Sequence, residues 1–166
     1  MNSKIDNFLL PKELVHYDYS GWSRYFFKIF CLIWLAASIS SAVTLAVFPN
    51  LSAVARSSEA NNLLIKVYGC IGAPLIETSI LWFCATISTQ VTKNNLIASF
   101  LAALPVVLIH GINGWPKILI VFLAFIVQAY VFIGLRERIT GSFAFKFIAG
   151  VHMASNLLSA VIFQSL

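Results

Sequence analysis

Long apolar stretches alternate with short polar ones along the 166 residues of this chain. An α-helix needs about 20 consecutive apolar residues to cross the hydrocarbon core of a bilayer. Five stretches have about this length, so the pattern predicts an all-α integral membrane protein, a bundle of about five transmembrane helices. The predicted spans are 25–48, 63–90, 96–112, 116–135 and 143–166.

The connections between these spans are predicted to be short. Residues 92–95, 111–116 and 136–141 are rich in turn-forming types, whereas 49–62 is a longer polar connection. Residues 1–24 form a polar N-terminal segment whose aromatic side chains suit the headgroup level of a membrane. We therefore expect an interfacial segment at 1–24 and a single helical bundle over 25–166.

Composition agrees with a membrane bundle. Hydrophobic residues make up 60% of the chain and charged residues only 10%, whereas soluble domains carry about 25% charged residues. The net charge of +5 is thinly spread and includes no basic run. The basic residues are therefore interpreted as determinants of topology beside anionic lipid, and nucleic acid is not predicted as a partner.

The distribution of Lys and Arg predicts the orientation of the bundle, because cytoplasmic connections carry an excess of these residues. With five spans, a cytoplasmic N-terminus places eight basic residues inside and three outside. The inside set is Lys4, Lys12, Arg24, Lys28, Lys93, Arg136, Arg138 and Lys146, and the outside set is Arg56, Lys66 and Lys117.

Four polar residues inside the predicted spans are candidates for a functional site. Glu77, His110 and His152 are ionisable, and ionisable groups are rare in a bilayer core because burying them there is costly. Asn156 follows His152 by four residues, so both side chains lie on one helix face. The four residues are the components of a proton-transfer site on three helices.

Several chemistries are compatible with these residues. Glu77 suits a general acid or base, and the pair of His152 and Asn156 suits a substrate carbonyl or its oxyanion. Pro74, three residues before Glu77, loosens the helix at this point. Hydrogen bonds between helices are the structural alternative. Glu77, His110 and His152 could in principle ligate zinc, although no spacing demands it and HExxH is absent. The absence of GxSxG disfavours a serine nucleophile.

These residues resemble the motifs of a known family. The stretch APLIETSILWF resembles the first motif, EExxxR, of the CPBP family of glutamic intramembrane proteases, which includes the type II CAAX prenyl endopeptidases. VLIHGING resembles the second motif, with Val106 where Phe is usual, and HMASN resembles the third, HxxxN. The motifs occur in the family's order over 73–156, about half of the chain, and predict a CPBP-like core at 67–165.

The resemblance implies a role for each motif residue. Glu77 and His110 would activate a water, while His152 and Asn156 would stabilise the tetrahedral oxyanion, so peptide-bond hydrolysis would need neither metal nor cofactor. Two positions depart from the family, since Thr78 replaces its second Glu and Trp82 replaces its Arg. The chain would thus be a short member with a degenerate first motif.

Three functions are compatible with this sequence. The leading hypothesis is a metal-independent glutamic-type endopeptidase of the bacterial inner membrane, acting on a membrane-associated peptide or protein. The loss of the family's Glu and Arg favours the alternative of a non-catalytic binding protein, such as a bacteriocin self-immunity factor. A proton-coupled carrier is the third, although five spans without a repeat disfavour it. So small a bundle also favours a homodimer or a partner membrane protein.

Overall fold

A computed structural model describes residues 19–48, 67–113 and 115–164, and these residues form helices without any strand. The prediction of an all-α bundle is confirmed. A π-helical turn, Tyr68–Gly72, leads into the second helix, and a 3-10 turn, Gly111–Asn113, follows the third. The five α-helices are α1 (Tyr19–Val47), α2 (Ala73–Val91), α3 (Asn95–His110), α4 (Pro116–Arg138) and α5 (Gly141–Gln164).

Four of the helical segments are long and apolar enough to cross a membrane: Gly21–Val47, Tyr68–Val91, Pro116–Arg138 and Gly141–Val161. The third predicted span, 96–112, corresponds to α3, whose 16 residues place it among the shorter apolar helices. At 1.5 Å per residue it is about 24 Å long, less than a hydrocarbon core of about 30 Å. It nevertheless packs between α2 and α4. Asn95 at its start lies 3.4 Å from Glu137 near the end of α4, so α3 and α4 are antiparallel.

The predicted N-terminal segment is only partly described by the structure. Residues 1–18 and the predicted connection 49–62 lie outside the described residues. Residues 19–24 form the first turns of α1, which therefore begins six residues earlier than predicted. The Trp22 ring packs on Phe143 of α5 with 4.7 Å between ring centroids, so this part of the segment belongs to the bundle.

The link between α2 and α3 shows how local chemistry sets the helix ends. Thr92 has an extended backbone and ends α2. The Asn94 side chain then accepts hydrogen bonds from the backbone N–H groups of Leu96 and Ile97 at 3.0 and 3.2 Å. Asparagine is a favoured N-cap because it satisfies backbone donors that the first helical turn leaves unpaired.

The central helix of the bundle is α4. The apolar stretch of α4 that could span a membrane is 56% buried inside the protein. The corresponding stretches of α1 and α2 are each 22% buried. The interior face of α4 carries several of the largest fully buried side chains, among them Phe132 and Leu135. The face of α3 that packs on its neighbours is built from small residues, which allow close approach of helices in a membrane. They are Ala98, Ser99, Ala102 and Ala103.

Among the described residues, most basic side chains lie near one end of the bundle. Trp22 of α1 packs on Phe143 of α5, and Phe48 packs on Trp115 at the other end, with 4.8 Å between ring centroids. The start of α1, the α2–α3 link and the α4–α5 link therefore share one end, which we call the basic end; the end near Trp115 is the opposite end. The basic end carries Arg24, Lys28, Lys93, Arg136, Arg138 and Lys146, and Lys117 lies at the opposite end.

Candidate active site

The carboxylate of Glu77 lies between two histidines. Its Oε1 is 3.5 Å from His110 Nε2, and its Oε2 is 3.3 Å from His152 Nε2. The three residues belong to α2, α3 and α5, so the fold brings together three of the four predicted site residues. Both distances exceed the usual 2.7–3.2 Å of an N–H···O bond. Catalytic contacts are often this long before substrate binds.

The cluster of Glu77, His110 and His152 lies deep within the bundle. The most exposed of the three side chains, His110, is 22% exposed. Glu77 precedes the end of α2 by 14 residues, which places it about 21 Å from the basic end. His110 closes α3 at a similar depth. The cluster thus lies beyond the midplane of a core about 30 Å thick, nearer the opposite end.

The hydrogen bond of His110 to its own helix defines where its proton is. Nδ1 lies 2.9 Å from the Val106 carbonyl oxygen, which can only accept, so Nδ1 carries the hydrogen. In the neutral ring, Nε2 then presents a lone pair to Glu77 Oε1. A hydrogen bond between the two groups would need one further proton, on the carboxyl group or on the ring. Glu77 and His110 are thus placed to exchange a proton as a general acid–base couple does.

The ring of Phe125 forms an apolar wall beside both histidines. Its centroid lies 5.3 Å from that of His110 and 5.4 Å from that of His152. This wall comes from α4, a helix that supplied none of the predicted site residues. Phe125 was not singled out from the sequence, because one Phe among 14 carries no distinguishing signal.

Asn156, the fourth predicted site residue, contacts the backbone of the π-helical turn that precedes α2. Its Nδ2 donates to the Gly69 carbonyl oxygen at 2.9 Å. In the π-helical turn the Ala73 N–H bonds to Tyr68, and Pro74 has no N–H, so Gly69 lacks a helical donor for its carbonyl. Asn156 supplies that donor and ties α5 to the turn before Glu77. One N–H of its amide is left for another acceptor.

Replacing Asn156 by Leu is expected to destabilise the protein by about 1 kcal/mol, because the Gly69 carbonyl would lose its donor in an apolar setting. Unfolding of the purified protein in mixed micelles measures this loss. Ser159→Ala is the matched control one turn further along α5, since the Ser159 hydroxyl bonds only its own helix, at Ser155. Equal losses for the two variants would contradict a specific role for the bond to Gly69.

Polar side chains that the sequence analysis missed also face the bundle interior. Gln128 of α4 is buried, and its Oε1 has no hydrogen-bond partner among the described residues. An amide within a strongly apolar span is a detectable sequence signal, comparable to that of Asn156. Thr78 was recognised only as a departure from the family motif, but its side chain is fully buried beside Glu77.

The structure also bears on the zinc site that the sequence left open. Within the described ranges, no group of three or more His, Cys, Asp or Glu side chains is arranged to hold a metal ion. Glu77 instead contacts His110 and His152 through different carboxylate oxygens. Through these two oxygens the carboxylate can exchange a proton or a hydrogen bond with either ring.

Comparison with known proteins adds no relative to this description. No protein-family model, curated protein or solved structure matches the chain. The resemblance to the CPBP family thus depends on the motif residues within 73–156, and it stays a hypothesis. The geometry around Glu77 is the basis on which a function can be proposed.

Proposed function

We propose that this chain is a small intramembrane endopeptidase of the glutamic type, which hydrolyses a peptide bond in a membrane-associated peptide or protein. The observation that carries the proposal is the placement of Glu77 between His110 and His152 inside a membrane bundle. Burying a carboxylate at this depth costs free energy. Its presence beside two imidazole rings therefore favours a catalytic role over a purely structural one. The CPBP-like order of the motifs supports the same function.

In the proposed reaction the couple of Glu77 and His110 removes a proton from water while the water oxygen attacks the substrate carbonyl carbon. The tetrahedral oxyanion accepts hydrogen bonds from His152 Nε2–H and from the free N–H of Asn156. The couple then returns the proton to the amide nitrogen as the C–N bond breaks. Water and one peptide bond are consumed, and a carboxylic acid and an amine are released.

The proposal extends to the orientation in a bacterial inner membrane. The positive-inside rule makes the basic end cytoplasmic, and with it the N-terminus. Because Glu77 and His110 lie nearer the opposite end, water and substrate would reach them from the outer side. The short α3, which ends at His110, leaves the bundle shallower on that side.

Thiol labelling in intact bacterial cells tests this orientation. Single cysteines at the exposed positions Lys93 and Lys117 report the two ends, after Cys31, Cys70 and Cys84 have been replaced by Ala. A membrane-impermeant maleimide is expected to label Lys117→Cys directly. Lys93→Cys should react only after the inner membrane is permeabilised. The reverse pattern would mean that the N-terminus and the basic end face outward.

A non-catalytic binding protein, such as a bacteriocin self-immunity factor, is the second candidate. Two observations favour it: Thr78 and Trp82 replace the family's second Glu and its Arg, and Asn156 is engaged with the Gly69 carbonyl. In this case the contacts of Glu77 with the two histidines would only hold α2, α3 and α5 together.

A cleavage assay separates the two candidates. The full chain is reconstituted in liposomes with a library of membrane-anchored peptides, and new termini are identified by mass spectrometry. The endopeptidase is expected to generate termini that are absent with the Glu77→Gln variant. Identical peptide profiles for both proteins, with the variant still functional in cells, would favour the binding protein.

A further inference from the structure

Three buried polar atoms lack a hydrogen-bond partner among the described residues: Thr78 Oγ1, Gln128 Oε1 and His152 Nδ1. None of the three residues is more than 6% exposed. Buried polar atoms in native proteins are nearly always paired with protein groups or ordered water, and each exception demands an explanation. In this protein the three exceptions come from three different helices that pack on one another, α2, α4 and α5.

The Thr78 hydroxyl differs from other hydroxyls of this bundle. Those of Thr44, Thr89 and Ser155, for example, donate to the backbone carbonyl four residues earlier, at 2.8–2.9 Å. This intrahelical bond is the usual way to satisfy Ser and Thr inside an apolar helix. The Thr78 hydroxyl makes no such bond, and it lies on the interior stripe of α2. It therefore has a donor available for a group outside its own helix.

The packing register places the three residues at one level of the bundle. Contacts of Gly69 with Asn156, Glu77 with His152 and Trp82 with Phe145 show that α2 and α5 are antiparallel, which sets Thr78 level with Val151. On α4, Phe125 packs on His152, and Gln128 lies three residues nearer the basic end. Along the bundle axis, Thr78, Gln128 and His152 thus lie within about 5 Å, one helical turn.

The hydrogen-bonding capacity of the three atoms is complementary to a water molecule. With its proton on Nε2 facing the Glu77 carboxylate, His152 has only an acceptor at Nδ1, and Gln128 Oε1 is a second acceptor. Thr78 supplies a hydroxyl donor. A water donates two hydrogen bonds and accepts one, and buried waters typically make about three.

We propose that Thr78, Gln128 and His152 bind one buried water, which holds the His152 proton on Nε2. The His152 N–H is then directed at Glu77 and, in the proposed reaction, at the oxyanion. Thr78 and Gln128 are positioning residues that act on His152 through this water. The water site itself is independent of the proposed endopeptidase function; only its role in the reaction rests on that function.

Solid-state NMR of the full chain in lipid bilayers, with nitrogen-15 in its histidines, tests the water site without any substrate. His152→Gln identifies the His152 signals by their loss. In the wild type we expect an unprotonated Nδ1, a protonated Nε2 and magnetisation transfer from water to the ring. Thr78→Val and Gln128→Met should lose this transfer and give a mixture of the two neutral ring forms. A protonated Nδ1 in the wild type would overturn the proposal, because it could not accept a hydrogen bond from the water.

The change in Tm caused by Thr78→Val is a second test, because its sign differs between a hydrated site and a dry one. If water is bound, Thr78→Val removes one of its partners, and Tm should fall by about 2–4 °C. If the site is dry, the same change removes an unpaired hydroxyl and should raise Tm or leave it unchanged. Thr44→Val, another buried threonine, and the exposed Gln90→Met are the matched controls. A wild-type protein that gives the water signal but cleaves no peptide would contradict the endopeptidase function and leave the water site standing.

Discussion

Glu77→Gln is expected to reduce peptide cleavage at least ~100-fold, the lower end of what a general acid–base group contributes. Glutamine keeps the size and polarity of the side chain but cannot take a proton from water. It can also still hydrogen-bond His152 or His110, so the helices around it should remain packed. Membrane abundance of the variant is therefore expected to be normal while activity is lost.

The measurement is the cleavage rate in liposomes together with cellular function and membrane abundance of the same variant. Glu137→Gln is the control, because Glu137 is an exposed carboxylate at the basic end whose visible contact is with Asn95, at 3.4 Å. It should behave as the wild type does. Full activity of Glu77→Gln would reject the catalytic role of Glu77 and leave a binding function on the same fold.

Phe132→Ala is expected to cause the largest loss of stability, about 3 kcal/mol. The Phe132 ring is fully buried on α4, the central helix, and is the largest of the fully buried side chains among the described residues. In a membrane the association of helices depends on close packing, so the cavity left by the ring is not compensated by lipid. The bundle would lose contacts around the helix that the other helices pack against.

Unfolding of purified protein in mixed micelles measures this effect, with Phe83→Ala as the control. The Phe83 ring is 68% exposed on the outer surface of α2, where lipid replaces it without leaving a cavity. The control should therefore be destabilised by less than about 1 kcal/mol. Similar losses for the two variants would mean that Phe132 is not part of a tightly packed core.

The helices were predictable because hydrophobicity is a property of each residue and can be summed along the chain. The end of α2 and the start of α3 were each predicted to within one residue, because a short polar link separates them. The start of α1 was placed at residue 25, and the helix begins at Tyr19. The polar residues near Trp22 concealed this first turn, which is stabilised by aromatic packing on α5. Such a contact between distant segments leaves no local signal.

The same is true of the candidate site: its residues could be predicted from the sequence, but their contacts could not. Glu77, His110, His152 and Asn156 could be selected from the sequence because polar groups stand out in apolar spans. That Glu77 bridges both histidines, and that Asn156 bonds a carbonyl 87 residues away, depends on how the helices pack. The contact of Glu77 with His152 and the bond of Asn156 to Gly69 both require the antiparallel register of α2 and α5.

By itself, then, the sequence determined a helical membrane protein, the approximate spans and the residues able to exchange protons. Only the tertiary structure decided which of these residues meet, that α4 is central, and that Thr78 and Gln128 join His152 at one level. The physical reason is that burial preference acts residue by residue, whereas side-chain contacts depend on the rotation and register of packed helices. A shift of one residue would turn a side chain by about 100° and separate Glu77 from His152.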